Sequence, residues 1–139
     1  MAMLIRGLWE EKGSSDTRLL EEPLLSDAFT VVGRSEAFTG RGRREHVVPR
    51  LVVIQHCHAL LEGEKRAGRS PAETDKLMAE FIQQTVKIVL ISPEEARRLD
   101  SAAGHGWRQQ MPPGWAIGDD VFHRLHAAGI AWTPDPVVD

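Results

Sequence analysis

The chain has 139 residues, 42% of them hydrophobic and 27% charged, with a net charge of −3. These are ordinary values for one globular domain that can bury a core without staples. The single cysteine, Cys57, excludes an internal disulfide and a cysteine-rich zinc site, and no apolar run nears the roughly 18 residues that span a bilayer.

Taken in order, the N-terminal MAMLIRGLWEEKG places Arg6 inside its apolar run and acids directly after it, which is not a signal-peptide pattern; a cytoplasmic setting is expected. The segment suits either a short strand or one helical turn. Gly13–Asp16 reads as a turn or cap, and Pro23 breaks any helix among Leu19, Leu20, Leu24 and Leu25. Ala28–Arg34 is β-branched and ends beside a glycine, which predicts a strand. Arg43–Val48 can pair back on it after a turn-rich loop, giving a hairpin over about 28–48. Pro49 is suited to open a helix, whose apolar Val52, Val53, Cys57, Leu60 and Leu61 recur at three-four spacing.

Ser70-Pro-Ala-Glu73 and Ser92-Pro-Glu-Glu95 are capping-box patterns. The first opens a helix with Leu77, Met78, Phe81 and Ile82 inward, and the second a short helix ending by Gly104. Between them, residues 86–91 (VKIVLI) are almost continuously apolar, the mark of a central strand buried on both faces. Residues 104–115 form a glycine- and proline-rich loop with Trp107, Met111 and Trp115. Asp119 is placed to cap a last helix through Val121, Phe122 and Leu125, with Gly129 as its stop. Ile130–Trp132 suits an edge strand, and the tail from about 133 is expected to fray. Together these predict a single α+β domain over 1–139: a small mixed or antiparallel sheet packed with three to four helices.

Charge is segregated along the chain. Residues 41–69 carry seven bases against three acids. Before them stand seven acids and four bases, and after them ten acids and six bases. The basic block begins with Arg41, Arg43, Arg44 and Arg50, interleaved with Glu45-His46. Arginine forks bind phosphate and carboxylate alike, and arginine is enriched where proteins bind one another; a solvated loop guarding a sheet edge is the plainer alternative. The expected binding residues are these four arginines, with Trp107 and Trp115 either covering the core or adding an apolar patch. His123 and His126, with Asp119, could share one helix face, although a surface face explains them as well. Cys57 fits a core position.

Glu45-His46-Val47-Val48-Pro49 resembles the start of the HNH (ββα-metal) nuclease motif. The resemblance covers about ten residues. It implies a divalent metal, with Glu45 and His46 as the catalytic pair and His46 with His56 (or His58) as ligands, acting on DNA. His56 and His58 stand two apart, and helix neighbours that face one way stand three or four apart.

The expectation put first is a binding protein without chemistry, catalytic residues, metal or cofactor. It would engage a protein or nucleoprotein complex by occlusion, as do small acidic inhibitors of the phage and mobile-element kind, anti-CRISPR proteins among them. Direct nucleic-acid contact through the arginines and homodimerisation stay open; a membrane partner is not expected.

Overall fold

The computed structural model describes residues 1–13, 16–20, 25–101 and 104–135. Its elements run α1 (Ala2–Lys12), a 3₁₀ turn (Thr17–Leu20), α2 (Asp27–Thr30), β1 (Val31–Ser35), β2 (Arg43–His46), α3 (Arg50–Glu62), α4 (Pro71–Thr85), β3 (Ile88–Ile91), α5 (Pro93–Asp100), α6 (His123–Ala127) and β4 (Trp132–Pro134). The fold is α+β, with one mixed four-stranded sheet in the order β2-β3-β1-β4. No helix among the described residues is long and apolar enough to cross a membrane.

β3 is the strand around which the sheet forms. Ile88, Val89 and Ile91 are all buried, so both of its edges and both of its faces need cover. β1 pairs with it in parallel and β2 antiparallel, the latter in the register Arg43↔Ile91 to His46↔Ile88. This corrects the expected hairpin over 28–48, because β1 and β2 flank β3 and do not pair. Seven residues separate Ser35 from Arg43, more than the two to five of a usual hairpin loop. That length lets β2 pass to the far edge of the most apolar strand. The turn into β2 requires Gly42: its φ is 152°, and a Cβ there would lie 1.9 Å from the Ile91 carbonyl oxygen.

The helices form around one core. The N-terminal segment, left between strand and turn by its composition, is a three-turn helix that buries Ala2 and Ile5. Arg6 ties α1 to its neighbours through Glu64 at 2.5 Å and Asp75 at 2.6 Å. α3 buries Val53, Ile54, Cys57 and Leu61. α4 buries Thr74, Met78, Phe81 and Ile82, and leaves the expected core residue Leu77 exposed. The Ser92 capping box is complete: Glu95 N–H donates to Ser92 Oγ and Ser92 N–H to Glu95 Oε1, which also accepts from Ser35 Oγ. At Ser70 only half of the box forms. The serine accepts from Glu73 N–H, and the glutamate carboxylate meets the serine hydroxyl in place of its backbone N–H.

Two expectations about the C-terminal region are corrected. α6 begins at His123, later than predicted, because Asp119 turns back to accept from Ala116 N–H; Asp120 instead accepts from Phe122 N–H and His123 N–H ahead of the helix. Thr133 and Pro134, within the tail expected to fray, pair with Arg34 and Gly33 in β4. Residues 136–139 of that tail, the Ser14–Ser15 part of the first turn and the Pro23 break lie outside the described residues.

Candidate anion-binding face at the β2 edge

β2 is an edge strand, and its side chains alternate between the two faces of the sheet. Glu45 is buried and Arg43 half-buried. Arg43 lies 2.6 Å from the Glu45 carboxylate and forms a two-pronged ion pair with Asp100 at the end of α5. Arg44 pairs with Asp27 of α2. Arg50 is the first residue of α3.

Arg124 of α6 closes the arrangement from behind. Its side chain is 0% exposed, and it donates to Glu45 at 2.5 Å, to the Trp107 carbonyl at 2.8 Å and to the His46 carbonyl. An ionised carboxylate as buried as Glu45 is tenable only when its charge is offset, and Arg43 with Arg124 does this. One arginine thereby joins α6, the 104–122 loop and β2. Sequence periodicity missed it, because His-Arg-Leu-His on a short helix looks like a solvated face.

Two adjoining clefts open on this edge. The larger, about 790 Å³, is lined by Arg41, Arg43, Arg97, Arg108 and Asp100, with Pro93 and Ala96 as its apolar floor. The smaller, about 140 Å³, is lined by Arg43, Arg44, Arg50, Arg108 and Arg124 with Glu45 and His46. Arg43 and Arg108 line both. Arg41, Arg97 and Arg108 are exposed. All four arginines singled out in the sequence thus reach one face, joined there by Arg97, Arg108 and Arg124 from distant segments. Arg97 and Arg108 lie in an acidic block, where nothing local marks them as partners of β2.

His46 faces the smaller cleft. Burial chiefly, and then Arg50, Arg44 and Arg124, lower its pKa to about 4, so the imidazole is uncharged near neutral pH. The other residues of the nuclease resemblance stand elsewhere. His56 packs its ring on Phe81 at 4.3 Å and His58 on Trp9 at 5.0 Å, and burial lowers both pKa values. Among the described residues, no group of three or more His, Cys, Asp or Glu side chains is placed to hold a metal ion.

The tryptophans do not line the arginine clefts. Trp107 is half-buried against the core and stacks on His105 at 4.3 Å. Trp115 packs on the core and donates to the Asp120 carbonyl at 2.9 Å. Both cover the core. Cys57 is fully buried, and burial raises its thiol pKa to about 11, which leaves it a core residue. His126 pairs with Asp120 at 3.2 Å. Comparison with known proteins returns no match: no family model, curated protein or solved structure aligns with this chain.

Proposed function

We propose that this chain is a non-catalytic binding protein that docks its arginine face on an anionic surface of a larger protein or nucleoprotein complex and acts by occlusion. The observation that carries this is the gathering of seven arginines, from β2 and its preceding loop, α3, α5, α6 and the 104–122 loop, around two adjoining clefts of a chain whose net charge is −3. Such segregation orients an approaching partner and rejects wrong ones. Inhibitors carried by phages and mobile elements, of the anti-CRISPR kind and acting in the cytoplasm, are the class this design fits.

The test uses Arg41→Glu with Arg97→Glu. Both residues are exposed and neither makes an ion pair among the described residues, so the fold should survive. Partner recovered from host extract by the wild type and lost by the double variant supports the proposal; equal recovery by both removes the arginine face from it. Plasmid DNA incubated with Mg²⁺, Mn²⁺ or Ni²⁺ should stay intact. Cleavage that His46→Ala abolishes would replace occlusion with nuclease chemistry.

A further inference from the structure

The smaller cleft differs from the open face around it. Arg124 is wholly buried there, and its Nε has no hydrogen-bond partner; neither has the buried Nε of Arg44. Buried donors left unpaired are costly, and negative charge seated in the adjoining cleft offsets part of that cost. Both residues line this cleft together with Arg50 and Arg108. Its volume, about 140 Å³, lies below the roughly 300 Å³ at which sites for whole small molecules begin, which suits a single oxyanion group.

The shape of the surroundings narrows the class. A carboxylate offers two coplanar oxygens and is met by one guanidinium fork, whereas donors arriving from a strand, a helix start, a loop and the buried side of α6 suit a tetrahedral group. The seat is continuous, through Arg43 and Arg108, with the larger groove carrying Arg41 and Arg97. A seat for one phosphate opening into a groove that can meet its neighbours suits a phosphodiester backbone.

We infer that the cleft lined by Arg44, Arg108 and Arg124 seats one phosphate of a nucleic-acid backbone, with adjacent phosphates running along Arg41 and Arg97. This rests on the proposed docking role of the arginine face and specifies the chemistry it meets. His46 lines the seat as an uncharged imidazole and serves as its local reporter.

The experiment follows the anisotropy of a labelled oligothymidylate, of the same strand with uncharged methylphosphonate linkages, and of labelled polyglutamate, with inorganic phosphate as a competitor. His46 imidazole resonances are recorded in parallel. The oligothymidylate should bind and shift His46, and the methylphosphonate strand should not bind. Arg108→Gln, at an exposed position, should weaken binding about tenfold, the worth of one charge-assisted hydrogen bond, and should lower the salt slope by about 0.7. Arg124→Lys keeps the charge but breaks the fork that holds Glu45, His46 and Trp107 around the seat, and should weaken binding as well; if that variant does not fold, Arg108→Gln decides alone. Polyglutamate binding as tightly as the oligothymidylate overturns the phosphate assignment and leaves the docking role standing. A response of His46 to inorganic phosphate without strand binding overturns the nucleic-acid assignment. Binding of neither polyanion removes both proposals.

Discussion

His46 lies between a buried strand and three arginines, and that placement sets its proton affinity. Its folded pKa near 4 is below the ordinary 6.5, so between these values the unfolded chain binds the proton that the native protein refuses. Stability then rises with pH. The contribution is complete above about pH 6.5 and is lost as pH falls from there toward 4. At the bottom of that window the loss approaches about 3 kcal/mol, since each tenfold change in proton affinity is worth about 1.4 kcal/mol. His46→Gln carries no proton to refuse, so urea midpoints measured from pH 7 to pH 4 should fall less steeply than for the wild type. Part of the slope should persist, because burial depresses His56 and His58 in the same direction. Equal slopes in both proteins would remove His46 from the account.

At the scale of elements, the β2 turn shows what local sequence can and cannot carry. The Ser92 capping box, the α3 and α4 core stripes and the apolar β3 were legible, because each depends on residues within a few positions of one another. The pairing of β2 was not, since it depends on which edge of β3 remains after β1 has taken the other. The same limit explains the site: Arg41 to Arg50 are neighbours in sequence, whereas Arg97, Arg108 and Arg124 arrive through the packing of α5, the loop and α6. Gly42 is where local geometry and pairing meet. Gly42→Ala imposes a conformation that L-residues avoid, costing about 1–3 kcal/mol, and drives a Cβ into the Ile91 carbonyl. A loss of at least that size is expected in urea denaturation, with faster amide exchange across β2 and β3 than elsewhere in the sheet. Unchanged exchange at Arg43–His46 would mean that β2 does not depend on this turn.

Across the whole molecule, the arginine face opposes the net charge, and that opposition has a kinetic consequence. A polyanionic partner meets a chain of net negative charge whose seven cleft arginines gather along the β2 edge. The field therefore selects orientation during encounter, an effect that extends over about 10 Å at 0.1 M salt and about 3 Å at 1 M. In the proposed seat the contacts of Arg108, with the buried Arg124 behind them, are short-ranged and partly shielded from solvent, so they govern escape more than approach. Raising salt from about 0.05 M to 0.5 M should accordingly lower the association rate by about tenfold or more, within the range that electrostatic steering supplies. Arg41→Glu with Arg97→Glu, both on the open groove, should act mainly on association, whereas Arg108→Gln, at the seat, should also speed dissociation. Stopped-flow mixing with a labelled polyanion separates the two rates. If salt acted on dissociation alone, long-range steering by this face would be ruled out, and the segregated charge would need a different explanation.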